Sequence, residues 1–331
     1  MPEDASTAPP LATIMLIAYN QEASIGEAIA GALAQTYSPL EIFISDDASS
    51  DGTHAAMLAA VAGYQGPHRV VVNRNEKNLG IGAHLSLIVE RSRGELLFVA
   101  GGDDVSLPER CAKTVATWLA SRKTLDLIAA PLLDVDAEGN VHGVLQPSDL
   151  AQYKNASDWI ANRPYVVGAA QAWTRRLIER FGPIPAGTIG EDMLMAFRAI
   201  ISGGAITLPE PLVLYRRGGI SRRRRSLDAA SVVARIRKNS NNALVELTQL
   251  IADAERAGVA DVVRPTLEKR LARECFIRDI FAAQTTGARV GLALGARAVP
   301  LGVRTRMLVY AAWPALLAPF FAIKRRLPAR D

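Results

Sequence analysis

Two short apolar runs in the first third of the chain each lead into a pair of aspartates. The run IFISDD ends at Asp46 and Asp47, and LLFVAGGDD ends at Asp103 and Asp104. Apolar and β-branched runs bounded by turn residues predict buried strands. Carboxylates that follow such strands lie on the carboxyl edge of a parallel sheet, where open α/β sheets bind ligands. The pattern therefore predicts an α/β fold with an acidic site at one sheet edge.

Strand and helix patterns alternate through the N-terminal half, which indicates βαβ units and a mostly parallel sheet flanked by helices. Ser24 is predicted to cap the first helix with its side chain, and Pro108 is predicted to lie in the first turn of the fourth. The predicted strands are 11–18, 41–45, 69–73 and 95–100. The predicted helices are 25–34, one that the SSDGT turn opens and that runs through 57–61, 83–91 and a fourth from 107.

Composition limits the class of protein. The 331 residues are 49% hydrophobic and 21% charged, enough for one large domain plus an appendage. Cys111 and Cys275 have no metal or redox spacing and are compatible with a reducing compartment. The four histidines are scattered, which argues against a zinc site. Residues 1–10, MPEDASTAPP, do not have the pattern of a signal peptide and predict a flexible N-terminus.

Six segments, in order between residues 11 and 221, resemble a family 2 glycosyltransferase of the GT-A fold. They are IMLIAYNQE, ALAQTYSPLEIFISDDASSDGT, NEKNLGIGAH, SRGELLFVAGGDDVSLPER, IGEDMLMAFR and PLVLYRRGGIS. The resemblance implies a GT-A domain over 11–221 that binds a nucleotide-sugar and transfers its sugar with inversion. It implies no nucleic-acid partner.

The resemblance assigns the nucleotide site to the first two loops. Asp47, with Asp46 beside it, matches the acid that accepts hydrogen bonds from the base and ribose. Ile17, Tyr19 and Glu22 match the loop that lines the same groups. The alternative is that DDASSDGT is only a turn and helix cap, since Asp, Ser and Gly favour both.

The GGDD segment resembles the family's metal motif, often D-x-D-D. Gly101 replaces the first acid, so the implied ligands of Mg²⁺ or Mn²⁺ are Asp103 and Asp104, with Asp103 also near the ribose or phosphate. These cations take oxygen ligands and neutralise a departing diphosphate. The alternative is a solvent-facing turn before a helix.

The pair Glu191 and Asp192 resembles the family's acidic pair at the start of a helix. Asp192 matches the general base that takes the proton of the attacking hydroxyl, and Glu191 is the less favoured candidate, orienting the site or the acceptor. The alternative is that both residues only cap the helix, where negative charge is favoured.

The segment PLVLYRRGGIS resembles the closing loop of the family. Gly218 stands near the position where many relatives have a histidine, so no histidine ligand is implied. Arg216 and Arg217 are candidates for phosphate contacts, because guanidinium pairs well with phosphate. Two solvated arginines beside a turn are the alternative.

The sequence after residue 221 has a different character. Residues 222–289 predict a helical extension, and 290–331 predict a tail that associates with a membrane. Residues 307–323 are uncharged, interrupted by prolines and followed by KRR, a pattern that favours the membrane interface over a full span. The basic flank favours the anionic inner face of the cell membrane. The alternative is a buried helix that completes a domain or a dimer.

Together these features predict a cytoplasmic, metal-dependent, inverting glycosyltransferase, peripheral to the membrane. Its donor would be a UDP- or dTDP-sugar and its acceptor a glycan or lipid-linked hydroxyl. One alternative is a nucleotide-sugar binding protein that has lost turnover, suggested by Gly101. Another is a sugar-phosphate nucleotidyltransferase, which normally needs a Gly-rich basic loop that AYNQEASIG lacks.

Overall fold

The computed structural model contains two compact units, which meet in sequence between residues 222 and 223. Strands and helices build the N-terminal unit, and helices build the described part of the C-terminal unit. The predicted mixed α/β fold with a helical C-terminal region is therefore confirmed. The residues described are 8–136, 138–216 and 228–317.

Eleven strands are formed within the described residues. In chain order they are β1 Ala12–Ala18, β2 Leu40–Asp46, β3 Arg69–Arg74, β4 Leu96–Gly101, β5 Val105–Ser106, β6 Leu127–Ala129, β7 Leu132–Val135, β8 Val141–Leu145, β9 Gln171–Thr174, β10 Ala205–Thr207 and β11 Val213–Arg216.

Eleven α-helices accompany them in the same described ranges. They are α1 Ile25–Leu33, α2 Thr53–Val61, α3 Ile81–Arg91, α4 Arg110–Ala120, α5 Ala156–Ala161, α6 Arg175–Phe181, α7 Glu191–Ile200, α8 Ala229–Arg256, α9 Ala260–Ala282, α10 Thr286–Gly295 and α11 Leu301–Ala312.

The central sheet has the strand order β10-β6-β9-β4-β1-β2-β3. β9 runs antiparallel to both of its neighbours, whereas the other pairs in this sheet are parallel. The four strands predicted from apolar runs are β1 to β4. In the central strand β1, Ile14, Met15 and Leu16 are completely buried. Burial on both faces explains why β1, β2 and β4 are largely continuous apolar runs rather than alternating ones.

A second sheet, of order β5-β11-β7-β8, was not predicted from the sequence. β11 pairs with β5 in antiparallel fashion and with β7 in parallel. Because β5 begins directly after Asp104, this pairing brings the end of β11 towards the GGDD segment. A two-residue strand has too little pattern to be seen in a sequence.

Two details of the predicted helix starts are wrong. Ser24 occupies the N-cap position of α1, but its side chain caps nothing and its hydroxyl donates to the carbonyl of Gly102 at 2.8 Å. Pro108 precedes α4, whose first residue is Arg110. For Ser24, a contact with a distant loop takes the place of the local cap.

In the C-terminal unit, α8 and α9 are long helices packed against each other, and α10 and α11 follow. Phe276, Ile277 and Ile280 of α9 form a buried cluster with Val299 and Met307. Among the helices of the described residues, none combines the length and the hydropathy that a bilayer crossing requires. Residues 318–331, the end of the predicted tail, lie outside the described residues.

The central strands predict a test of the core. Phe98 on β4 is fully buried, so Phe98→Ala is expected to lower the free energy of unfolding by about 3–5 kcal/mol. Leu58→Ala is the control, because Leu58 is half exposed on α2. This substitution is expected to lower the free energy of unfolding much less than Phe98→Ala does. Chemical denaturation measures both, and similar losses for the two variants would contradict the assigned core.

Candidate functional site

Three neighbouring strands of the central sheet, β1, β2 and β4, end at one level. In the parallel register Ala18 lies opposite Asp46, and Ile17 lies opposite Gly101. The loops after β1, β2 and β4 therefore leave the sheet side by side at its carboxyl edge. This is the edge at which open α/β sheets bind ligands.

Backbone and side-chain hydrogen bonds join the first two loops. The N–H of Asn20 donates to Ser49 Oγ at 2.9 Å, and the N–H of Ser50 donates to Asn20 Oδ1 at 2.9 Å. Asn20 and Ala48 both have positive φ, 52° and 60°, a conformation that costs energy outside glycine. The contacts between the loops hold these two residues in that conformation.

Three residues predicted to line the nucleotide lie in the first loop or just before it. Ile17 is half-buried near the end of β1, and Tyr19 is 48% exposed. Glu22 is exposed, and its Oε2 accepts the N–H of Gly52 at 2.9 Å. The Tyr19 ring is therefore available for a ligand, while Glu22 fixes the turn that begins α2.

Asp47 is buried, and its carboxylate is almost fully engaged within the protein. Oδ1 accepts from Asn75 Nδ2 at 2.8 Å and from the N–H of Leu79 at 2.9 Å, and Oδ2 accepts from the N–H of Gly80 at 2.9 Å. A carboxylate has about four acceptor positions. Asp47 therefore holds the loop before α3 and retains capacity for about one more hydrogen bond.

Asp46 is completely buried at the end of β2. Its Oδ1 accepts the N–H of Ser49 at 3.0 Å, and Arg74 Nε lies 3.2 Å from Oδ2. This carboxylate shapes the turn that follows it. It is the predicted nucleotide residue with the least access to a ligand.

Asp103 and Asp104 converge above Gly101. A methyl group built at Gly101 would lie 2.9 Å from Asp103 Oδ1 and 3.0 Å from Asp104 Oδ2. Both carboxylate oxygens therefore face the same small space. Glycine leaves that space open, whereas a side chain would force the carboxylates to move.

Asp104 is a buried carboxyl group with few compensating donors. Burial, followed by the neighbouring charge of Asp103, raises the pKa of Asp104 to about 8. The N–H of Arg216, which donates to Asp104 Oδ1 at 3.2 Å, and the charges of Arg110 and Arg216 oppose this shift. A bound cation would favour the ionised form further.

The two carboxylates fit a divalent cation in their chemistry. Within the described residues, no three His, Cys, Asp or Glu side chains gather into a metal-ligand group. Mg²⁺ is commonly held by one or two carboxylates together with substrate phosphates and water. Asp103 and Asp104 supply that partial set of hard oxygen ligands.

Gly102 allows the first and third loops to approach each other. A methyl group at this position would lie 2.6 Å from Gln21 Oε1 and 2.7 Å from Ala18 Cβ. The N–H of Gly102 donates to the carbonyl of Ile17 at 2.9 Å. The Gly-Gly pair therefore has two separate steric roles, one on each side of the loop.

The predicted base belongs to the same edge. β9 is antiparallel to β4, so residues before β9 lie at the carboxyl end of β4. Gly168 lies three residues before β9. A methyl group built at Gly168 would lie 2.8 Å from Glu191 Oε1 and 3.4 Å from the Cβ of Asp192. The start of α7 is therefore brought to the edge that holds Asp103 and Asp104.

Glu191 and Asp192 have different surroundings. Glu191 is buried, and no partner is found for its Oε2 among the described residues. Burial, with a smaller effect of the Asp192 charge, raises the pKa of Glu191 to about 8. Asp192 is half-buried, and its Oδ1 accepts the N–H of Met193 at 2.7 Å. Of the two, Asp192 is the more accessible.

Three buried residues that support the site were missed in the sequence. Gln171 Nε2 donates to the carbonyl of Asp192 at 3.2 Å, and Arg110 Nη2 donates to the carbonyl of Gln171 at 3.2 Å. His84 Nε2 lies 2.6 Å from Ser45 Oγ, and burial lowers the pKa of His84. His84 and Arg110 end two of the segments that carry the resemblance, which was a signal for both, whereas Gln171 gave none.

Arg216 lies at the site but is already paired. Its side chain contacts Glu27 at 2.5 Å, while its N–H contacts Asp104. Its Nε is buried and has no partner among the described residues. Arg217 and Gly218, the other predicted residues of the closing loop, lie outside the described residues.

Comparisons with solved structures identify the fold. The S. aureus protein TarS (residues 1–349), in complex with UDP-GlcNAc, matches with a TM-score of 0.53 at 15% identity, over 96% of this chain and 91% of that one. The mannosyltransferase PcManGT from Pyrobaculum calidifontis, in complex with GDP-Man and Mn²⁺, matches with a TM-score of 0.54 at 19% identity, over 97% and 91%. The predicted GT-A fold is confirmed.

Sequence comparisons show what the N-terminal half of the chain is similar to. The succinoglycan biosynthesis protein ExoO of Rhizobium meliloti is 28% identical over 230 residues, which are 64% of this chain and 63% of ExoO. Three mycobacterial proteins are 28% identical over 208 residues, and the match spans only 58% of their length. The model of glycosyl transferase family 2 matches residues 13–175, which contain the first three acidic loops of the site. Over these residues, the chain is similar to glycosyl transferase family 2.

Proposed function

We propose that this protein transfers a sugar from a nucleotide-sugar donor to an acceptor hydroxyl. The observation that supports it is the sheet edge, which gathers Tyr19, Asp47, Asp103–Asp104 and Asp192 from distant parts of the chain. The match to the family 2 model and complexes of fold neighbours with UDP-GlcNAc and GDP-Man also support a nucleotide-sugar donor. The donor nucleotide is proposed to be UDP or dTDP.

The first two loops are proposed to bind the nucleotide. The exposed ring of Tyr19 offers a face for the base, and Ile17 gives an apolar contact beside it. Asp47 uses its remaining acceptor capacity for an N–H or O–H of the base or ribose. In this proposal Asp46 and Glu22 act through the loops that they hold.

Asp103 and Asp104 are proposed to hold Mg²⁺ or Mn²⁺ with the donor diphosphate. The cation would neutralise the negative charge that develops on the diphosphate as it leaves. The backbone N–H of Arg216 donates to Asp104, and the positive charge of its side chain, which pairs with Glu27, also acts on that carboxylate. Asp103 is the more exposed of the two acids and is also proposed to contact the donor.

Asp192 is proposed to be the general base. The acceptor oxygen forms a bond to the anomeric carbon, and the bond from that carbon to the diphosphate oxygen breaks with its electron pair. The acceptor proton passes to the Asp192 carboxylate. Attack from the face opposite the leaving group inverts the anomeric centre. The start of α7 stabilises the negative charge of Asp192 before the step.

The acceptor is proposed to be a glycan or a lipid-linked glycan at the inner face of the cell membrane. The name of ExoO, succinoglycan biosynthesis protein, supports a polysaccharide product.

The surface proposed to meet the membrane lies in the C-terminal unit. Residues 280–317 contain four arginines and no Asp or Glu. Leu294 and Leu301 are 71% and 65% exposed, and Leu316 is 67% exposed. Exposed leucines beside cationic residues suit the interface of an anionic membrane.

Asp192→Asn tests the base. The amide cannot take the proton, so kcat is expected to fall about 10²- to 10⁴-fold while calorimetric donor affinity stays within about twofold. Glu191→Gln is the matched control, because a protonated Glu191 resembles glutamine and most of kcat should remain at pH 7. Equal losses in both variants would exclude the assignment. A wild type that binds donor without turnover would instead support the binding-protein alternative.

Asp104→Asn tests the cation site. The substitution keeps the shape but removes one anionic ligand, so Mn²⁺ should no longer strengthen UDP binding, a loss of about tenfold or more. Titration calorimetry with Mn²⁺ and with EDTA measures the difference. Asp261→Asn, on the exposed first turn of α9, controls for the lost charge. A Mn²⁺ effect that survives in Asp104→Asn would refute the proposed ligand.

Leu294→Glu with Leu301→Glu tests the membrane surface. The full-length protein is expected to sediment with phosphatidylglycerol vesicles, and the double variant is expected to stay in the supernatant because two exposed apolar contacts become anionic. The matched control is Leu58→Glu with Leu119→Glu, which changes two exposed leucines of the N-terminal unit. Equal sedimentation of wild type and both variants would rule out this surface.

A further inference from the structure

An open cavity whose lining includes several charged side chains lies at the opposite edge of the central sheet. Its volume is about 510 Å³, within the range of small-molecule sites. β6 runs in the same direction as β4, because both are antiparallel to β9. The cavity is built around the residues that precede β6, so it lies away from the carboxyl edge. Its lining includes Arg122, Lys123, Thr124, Asp126, Arg176 and Arg180.

The acid on the cavity floor is already neutralised. Asp126 is buried and accepts from Thr174 Oγ1 at 2.7 Å and from Ser202 Oγ at 2.9 Å. Arg176 Nε forms an ion pair with the same carboxylate. Asp126 therefore presents little free negative charge to an anion in the cavity.

Most of the hydrogen-bonding capacity of Arg176 is also used. Its two terminal nitrogens donate to the carbonyls of Lys123 at 2.6 Å, Thr124 at 2.8 Å and Leu125 at 3.0 Å. Its guanidinium therefore fastens the segment that leads into β6. This leaves Arg122, Lys123 and Arg180 as the cations that can face a ligand.

Two of these cations have no acidic partner in the parts of the chain that the structure describes. Arg122 and Arg180 are exposed, and the Arg180 guanidinium lies 5.2 Å above the Phe181 ring. Lys123 Nζ lies 2.8 Å from Glu95 and 4.9 Å from the Trp118 ring, which anchors its side chain. The positive charge of the cavity is therefore in excess over its available negative charge.

The backbone of the turn after α4 adopts a left-handed conformation at two residues. Arg122 and Lys123 have consecutive positive φ angles of 54° and 59°, although neither is glycine. Such residues cost of order 1–3 kcal/mol each and cluster at functional sites. The strained turn follows α4 and presents two cationic side chains at the mouth of the cavity.

Gly203 forms part of the opposite wall. A methyl group there would lie 2.3 Å from Asp126 Oδ2 and 2.6 Å from the carbonyl of Thr124. Any larger residue would have to displace the buried floor. The wall and the floor are therefore tightly fitted, while the cationic side remains open.

We propose that this cavity binds a phosphate group, carried either by a small soluble phosphate ester or by a lipid headgroup. Guanidinium groups pair with phosphate oxygens through charge-assisted hydrogen bonds, and Lys123 adds a point charge. The volume exceeds that of a lone phosphate, which leaves room for the group that bears it. The proposal is independent of the proposed glycosyl transfer, because it uses the opposite edge of the sheet.

Titration calorimetry of the full chain with sodium pyrophosphate, at low ionic strength and with EDTA, tests the site. Arg122→Glu with Arg180→Glu is expected to weaken binding at least about tenfold, because charge-assisted bonds to two guanidinium groups are lost. Lys154→Glu with Lys269→Glu is the matched control, with the same charge change at two exposed lysines, and should bind like the wild type. If the double variant folds poorly, the single Arg180→Gln variant takes its place and is expected to weaken pyrophosphate binding by a smaller factor.

Equal weakening in the cavity variant and the control would overturn the proposal, as would a wild type that binds no pyrophosphate at millimolar concentration. If pyrophosphate binds at the carboxyl edge instead, its affinity will not change when Arg122 and Arg180 are replaced. That result also overturns the proposal. Competition then identifies the source. Displacement by glycerol phosphate supports a soluble ligand, and displacement by phosphatidic acid vesicles, but not by phosphatidylcholine vesicles, supports a headgroup. Displacement by neither overturns the proposal.

Discussion

The parallel register of β1 with its two neighbours is the constraint on which the acidic edge depends. Ala18 opposite Asp46, and Ile17 opposite Gly101, make three loops leave the sheet at one level. A slip of one residue would move a loop by about 3.3 Å and turn its side chains to the other face. The fully buried apolar residues of β1, on both faces, oppose such a slip. The site is therefore a consequence of how the core is packed.

The buried acids at this edge are stabilised in two different ways. Asp47 has three hydrogen-bond donors from the loop before α3, so its charge is compensated inside the protein. Asp104 has one backbone donor and a carboxylate neighbour, and its pKa rises to about 8. The first arrangement organises a loop. The second leaves a charge that a cation or a proton must balance, and this difference distinguishes a structural acid from a candidate metal ligand.

The sequence predicted the features that depend on local pattern. The strands β1 to β4 were visible as apolar runs, and the aspartates after β2 and β4 were visible at their ends. Contacts between distant segments were not predictable. Arg216 meets Asp104 across 112 residues, and the hydroxyl of Ser24 reaches Gly102 instead of capping its own helix. The engagement of Asp47 depends on Asn75 and Gly80, whose positions are fixed only once β3 pairs with β2.

β9 separates the two edges of the sheet. It enters from the carboxyl edge, where Gln171 supports Asp192, and ends at the other, where Thr174 supports Asp126. All four of its residues are buried and it pairs on both sides, so it offers one well-packed arrangement rather than two. A ligand shifts an equilibrium only by its differential affinity for two states. We therefore expect the proposed phosphate in the basic cavity and the proposed donor at the acidic edge to bind independently.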